Sequence, residues 1–339
     1  MLVIRTFRNT DPPFLLKIWE KCAAVNSQHF RPLSMALLEQ HILGRPYFDR
    51  NGLFLAFDEN ENAVGFAHAA FGPNATHTDI DMSVGVICMM MILPEYENDS
   101  TVANTLLQAC EGYLTKCGAK QIYGGAVRPA APFYMGLYGG SEPIGVFESD
   151  QEITKLYTNS GYQAVHNTLL FRVSLESYRP PINVKTIMWR RKLSLTCTDL
   201  PQPKHWWEAC MMCNFTWLEL HGVLPNDSQP VGIITMRIIN SEEMPDFKPR
   251  QSPSLSAPIS SYSRSVVAGL MDVWVRDDCR KQGLATYLLG EMLREIQRKE
   301  CVDILEIQAE EDNQPFIALL KTMQWNIAER GTIFLKEIT

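Results

Sequence analysis

The stretch of this sequence best suited to chemistry runs from Met271 to Ala285 and reads MDVWVRDDCRKQGLA. An apolar, strand-like run passes through a short basic turn with one glycine and enters a helix-like run. Beyond the turn, Ala285, Leu288, Leu289, Met292, Leu293 and Ile296 recur at the spacing of one helix face. A helix begun in this way has its first backbone N–H groups unpaired and the positive end of its dipole facing outward. Gly283 removes a side chain where a phosphate would press on the backbone, and Arg280 and Lys281 bring positive charge to the same point. Arg280, Lys281, Gln282, Gly283, Leu284 and Ala285 therefore predict a pyrophosphate cradle, the alternative being a solvated basic turn. The turn has neither the Gly-Lys-Ser/Thr ending of a Walker loop nor the three glycines of a dinucleotide fingerprint.

The elements that must position this turn belong to an ordinary packed chain. It has 339 residues, 46% hydrophobic and 20% charged, enough for two domains and too apolar for disorder. A net charge of −7 argues against tracking a nucleic-acid backbone, although a local basic patch can still hold a phosphorylated small molecule. No secretory signal and no bilayer-length apolar run is read, and nine scattered cysteines suggest reduced thiols, so a cytoplasmic protein is expected.

The order of elements is read twice. The first half predicts a strand at 3–8, helices at 14–22 and 34–43, and a hairpin of 52–57 with 63–69. A strand at 84–93, a helix at 101–117, a strand at 121–124, a helix at 152–158 and a strand at 168–173 follow. The second half predicts a strand at 193–197, a helix at 205–213, and a hairpin of 217–221 with 231–236. Beyond a long polar loop at 241–265 come a strand at 266–275, a helix at 284–298, a strand at 304–309, a helix at 315–323 and a strand at 332–336. Val64-Gly65 and Val231-Gly232 lie 167 residues apart, and Leu156–Tyr162 and Leu319–Trp325 lie 163 apart, which suggests duplication. Pro180-Pro181 is the candidate linker, giving units 1–178 and 179–339.

At Arg280-x-x-Gly283-x-Ala285 the chain resembles the GNAT superfamily of N-acetyltransferases, whose acyl-CoA signature is Arg/Gln-x-x-Gly-x-Gly/Ala between a strand and a helix. Asn313 and the run Ala318–Trp325 are similar to that family's next motif. The resemblance implies an α/β (mixed α+β) fold: two tandem GNAT-like domains, each a mixed, mostly antiparallel central sheet flanked by helices. It further implies acetyl-CoA, or a related acyl-CoA, in a V-shaped opening between two central strands, with the pantetheine arm along Val273, Trp274 and Val275. Asn313 would stabilise the far side of the cleft. A backbone N–H would polarise the acetyl carbonyl for direct attack by an amine on a small molecule or peptide. The family's acid tyrosine falls at Leu320 and its glycine at Gln324, so the proton must travel otherwise. Asp272 and Glu306, on the two candidate strands, could relay it if burial raised their pKa values; otherwise they are strand-edge carboxylates. A non-catalytic acyl-CoA-binding scaffold, or a transferase of longer acyl or amino-acyl groups, remains the alternative.

In the first half the cradle falls at 97–103, where Glu97 and Asp99 would repel a pyrophosphate. Tyr157 with Gly161-Tyr162 matches the acid motif better than the second half does. Either the first unit shapes the acceptor pocket, helped by the loop Gly136–Gly140, or Tyr157 is a packed helix aromatic. Cys210-x-x-Cys213 has no second cysteine pair and reads as buried helical thiols, not a metal site. No Gly-x-Ser-x-Gly elbow serves a hydrolase, and Trp206-Trp207, at a helix start, could line a substrate pocket but reads first as core.

Overall fold

Residues 2–25, 30, 33–97, 99–126, 128, 130–135, 142–238, 266–299 and 302–338 are described by the computed structural model. The expected loops at 136–140 and 241–265 lie outside the described residues. The first half holds β1 (Val3–Thr6), α1 (Pro12–Val25), α2 (Met35–Leu38), β2 (Leu53–Phe57), β3 (Ala63–Pro73), β4 (Ile80–Ile92), α3 (Ser100–Lys116), β5 (Gln121–Gly124), β6 (Val146–Phe147), α4 (Gln151–Asn159) and β7 (Gln163–Ser174). The second holds α5 (Val184–Lys192), β8 (Ser194–Asp199), α6 (Trp206–Met212), β9 (Thr216–Val223), β10 (Gly232–Ile238), β11 (Val267–Val275), α7 (Leu284–Lys299), β12 (Ile304–Glu310), α8 (Gln314–Thr322) and β13 (Ile327–Glu337). Both hairpins and the helix–strand alternation follow the sequence reading. Helix α5 does not: residues 182–192 show little apolar periodicity, and the helix starts from a capping box in which the side chains of Asn183 and Thr186 bond each other's backbone N–H.

The strands form one sheet in the order β1-β2-β3-β4-β5-β13-β7-β12-β11-β10-β9-β8, with β6 paired to β13. Most pairs are antiparallel; β4–β5 and β11–β12 are parallel. The last strand of the chain, β13, lies between β5 and β7, and β7 pairs along its far side with β12. Each half thus contributes its final strand to a seam shared with the other. At the ends of α4 and α8 the same cap recurs: Gly161 (φ 84°) and Gln324 (φ 61°) are left-handed, and Tyr162 and Trp325 donate their N–H to the carbonyls of Tyr157 and Leu320. The 163-residue correspondence is therefore a real structural one, with a glutamine holding a conformation that favours glycine.

Helix α7 buries Leu284, Leu288, Leu289, Met292, Leu293 and Ile296 against the second-half sheet, as its spacing requires. Its counterpart α3 buries Val102, Leu106, Leu107, Cys110 and Leu114. Two histidines are enclosed in the first half. Burial pushes the pKa of His68 down to about 3; Nδ1 of this ring lies 2.9 Å from the hydroxyl of Tyr134. Burial, with Arg45 and Arg237 nearby, pushes His41 down to about 3.

Gly331 sits in the seam, where an added Cβ would come within 2.0 Å of the Ile144 carbonyl oxygen. Gly331→Ala is expected to cost about 1–3 kcal/mol and to lower one common melting transition for both halves; two separately shifted transitions in calorimetry would contradict the shared seam. His68 and His41 are neutral in the fold but become protonated in the unfolded chain below pH about 6.5, so stability is full above that pH and lost below it. The loss is about 1.4 kcal/mol per pH unit for each ring, and a melting temperature unchanged between pH 7 and 5.5 would refute it.

Candidate active site

Parallel pairing of β11 with β12 covers only Val267–Leu270 against Ile304–Ile307. Past that point β12 continues along β7 and β11 continues along β10, so the two strands part. A bulge lies at the parting: Thr235 of β10 faces Asp272 and Met236 faces Leu270, leaving Met271 as the extra residue. The edge of β11 from Asp272 to Val275 that faces β12 is therefore unpaired within the sheet. It opens on a cavity of about 1720 Å³, larger than the 300–1,000 Å³ or so typical of a single ligand.

One end of the cavity is the predicted turn. Lys281 (φ 58°) and Gly283 (φ 81°) are both left-handed, which folds the backbone ahead of α7 into a concave nest. A Cβ on Gly283 would meet the Cβ of Lys185 at 2.9 Å. Trp189 of α5 is buried and its indole N–H donates to the Gln282 carbonyl (2.9 Å), while Lys185 lines the cavity beside the turn. The first turn of α7 carries no acidic residue. Arg280 donates to the Val275 carbonyl (3.0 Å) and pairs with Asp277 (2.8 Å), so its charge is partly shared; Lys281 is exposed. The nest and its cations fit a diphosphate-bearing cofactor such as an acyl-CoA.

In the first half β4 also bulges, at Cys88, and parts from β5 after Ile87. There Cys88, Met89 and Met91 are buried in one cluster with Ala126, Phe133 and Tyr134. Asp99 caps α3 by accepting the Thr101 N–H (2.9 Å), and the Thr101 side chain together with that N–H holds its carboxyl below the usual range. Side chains thus fill the split, and a carboxylate takes an amide that an anion would need.

The structure brings together Asp272, Val273, Trp274, Val275, Arg280, Lys281, Gly283, Leu284, Ala285 and Asn313 on the cavity wall. Gln282 is not on that wall; its side chain donates to the Asp278 carbonyl (2.7 Å). Asn313 also caps α8, accepting the Phe316 N–H at 3.2 Å. Two expectations need correction. Glu306 is fully buried, paired with Arg172 of β7 (2.7 Å), and does not reach the cavity, because it lies where β12 is still paired with β11, opposite Gly269, ahead of the split. Tyr157 does not reach it either: it is buried, stacks on Phe334 at 5.5 Å and packs on Gly124. Leu320 is likewise buried in the core. The carboxylate of β12 that does line the cleft is Glu310, in line of sight of no sequence motif.

The other end of the cavity is built jointly by the two halves. Arg128, which follows β5, donates to the carbonyl of the bulge residue Met271 (2.9 Å) and pairs with buried Glu142 (3.0 Å). His77, between β3 and β4, meets His205 at 3.0 Å between ring nitrogens; His205 Nδ1 accepts the Glu208 N–H as the cap of α6. His205 must then carry its proton on Nε2 and donate it to His77 Nδ1, which leaves neither facing lone pair available as a base. Cys213 accepts from Arg45 (2.9 Å). Apart from the local His205 cap, none of these partnerships has a signal in the sequence, because each joins residues more than 100 positions apart or flanking different strands.

Breaking the buried Glu306–Arg172 pair with Glu306→Gln is expected to cost about 2–4 kcal/mol, while Asp272→Asn on the exposed cleft edge leaves the melting temperature unchanged. Equal thermal shifts for the two variants would overturn this division between a structural and a cleft carboxylate.

Residues 187–324 match the model of the Acetyltransferase (GNAT) family. No curated protein matches the chain significantly. Among solved structures, a GCN5-related N-acetyltransferase from Sphaerobacter thermophilus is similar at TM-score 0.64 and 12% identity, over 99% of this chain and 95% of that one. A tandem GNAT protein from the clavulanic acid biosynthesis pathway is similar at TM-score 0.67 and 13% identity, over 99% and 98%. A GCN5-related glucosamine N-acetyltransferase region of a fungal multi-domain GH3 β-N-acetylglucosaminidase is similar at TM-score 0.67 and 11% identity, over 99% of this chain and 38% of that one. Residues 187–324 thus form a domain of the GNAT acetyltransferase family, and the chain as a whole has the fold of tandem GNAT proteins.

Proposed function

We propose that this protein is an N-acetyltransferase that binds acetyl-CoA, or a related acyl-CoA, in the second of two GNAT-like units (1–178 and 179–339) and passes the acyl group directly to an amine. The observation that carries this reading is the glycine nest at 280–285, placed at the mouth of the β11–β12 split and lined by Lys185 and Lys281. The nest's N–H groups, the α7 dipole and these two ammonium groups would hold the diphosphate. The unpaired edge at Val273–Val275 offers backbone groups to an amide-bearing arm.

When bound, the acyl-CoA supplies a thioester carbonyl as the electrophile. The chain's own residues bring an amine to it and handle protons. Asp272 stands at the parting of the strands, where its carboxylate can bind an ammonium group and, through water, take the proton the amine must lose before attack. Arg128 fixes the peptide at the bulge by holding the Met271 carbonyl. With Leu320 buried and apolar, α8 offers no proton donor at that position, and water in the open cleft supplies the proton to the departing thiol. Leu320 is also what favours the second reading, a protein that binds acyl-CoA without turnover.

Gly283→Ala places a Cβ at positive φ against Lys185; it is expected to cost about 1–2 kcal/mol and to abolish the rise in melting temperature produced by CoA. Ser100→Glu, at the start of α3, leaves that rise intact. If Gly283→Ala binds CoA as well as the parent, the cradle is misplaced. Release of free thiol from acetyl-CoA that depends on an added amine distinguishes the enzyme from the silent binder.

A further inference from the structure

The cavity, about 1720 Å³ in all, has a wall of definite chemistry away from the glycine nest. Met135 from the first half and Trp207, Met211, Met212, Trp217 and Met271 from the second form one apolar cluster, and all six line the cavity. Methionine and tryptophan present broad, polarisable, adaptable surface, suited to a hydrocarbon or aromatic body.

Many polar groups of that end engage one another, although Glu142 Oε1, apart from its ion pair with Arg128, and the Gln308 side-chain carbonyl on the cavity wall are buried without a hydrogen-bond partner among the described residues. Arg128 pairs with Glu142 and with the Met271 carbonyl. His77 pairs with His205, and His205 with the Glu208 N–H. The Glu208 carboxylate takes the Lys204 N–H, and Thr235 donates to Glu219 (3.3 Å). A hydroxyl-rich acceptor would find few groups to replace the water it gives up, and a site lacking such partners cannot select for it. Asp272 and Glu310 differ. They stand on the two edges of the split, both line the cavity, and among the described residues no hydrogen bond or ion pair engages either carboxylate. Two carboxylates at one end of an apolar wall complement a cation on an apolar body.

We infer that the acceptor is a primary amine carried on an apolar, alkyl or aromatic body, its ammonium group on Asp272 and its body against the Met/Trp wall. This inference rests on the acyl-transfer reading and gives that site its substrate class.

Calorimetric titration of the full chain with n-alkylamines from butyl to octyl, without cofactor, tests the wall directly. Each added methylene is expected to tighten Kd about four-fold. Met211→Ala, which leaves the tryptophan rings in place, and Trp207→Ala should flatten that dependence. Asp272→Asn should weaken all members of the series by a common factor and leave the slope unchanged. With acetyl-CoA present, thiol release should follow the same order, and glucosamine and spermidine should lag behind octylamine. Chain-length-independent Kd values, or a parent slope retained in both wall variants, would overturn the proposal, as would faster thiol release with glucosamine or spermidine. A protein that binds alkylamines in this order but shows no thermal response to CoA would overturn the acyl-transfer reading and not the apolar-amine site, so the two failures are distinguishable.

Discussion

The separation of β11 from β12 after four paired residues governs the rest of the molecule. Two strands leaving a parallel pairing expose backbone donors and acceptors on both edges, and a folded chain must satisfy such groups. On the far sides β10 and β7 meet that need; on the near sides the edges face a cavity. The Met271 bulge lies at the same point, and the turn into α7 closes the far end. The unpaired edge and the bulge belong to one local parting of strands, and the left-handed turn at Lys281 and Gly283 stands at its mouth.

The first half shows the same parting resolved in another way. Beyond Ile87 the strand β4 turns Cys88, Met89 and Met91 into a packed cluster with Phe133 and Tyr134, and Asp99 supplies the α3 cap internally. Packed apolar side chains bring dispersion and hydrophobic stabilisation that an open cleft forgoes. One backbone plan thus yields a filled core in one half and a ligand-sized cavity in the other, according to which side chains stand past the bulge. The first half still serves the open site, because Arg128, Glu142, Met135 and His77 reach its wall.

The seam couples the halves. Strand β13 joins β5 to β7 and β7 joins β12, so the hydrogen bonds at the centre of the sheet link residues from opposite ends of the chain. The geometry around Met271, held by Arg128 from the first half, therefore depends on the register of a strand contributed by each. In the seam Glu306 also finds its partner, which is why a carboxylate on the right strand is structural while Glu310, near the strand's end, reaches the cleft.

Local periodicity and local turn chemistry were enough to read α7, both hairpins and the glycine turn at 280–285, because each is specified by residues a few positions apart, and the matched segments Leu156–Tyr162 and Leu319–Trp325 were legible as a repeat. The tertiary fold alone decided which carboxylates face the cleft. It also decided that Trp189, on a helix with little apolar periodicity, bonds the Gln282 carbonyl of the glycine turn, and that Tyr157 is buried beside Phe334. Those outcomes depend on which strand lies next to which. Strand adjacency comes from contacts between residues far apart in the chain, and no spacing along the sequence encodes it.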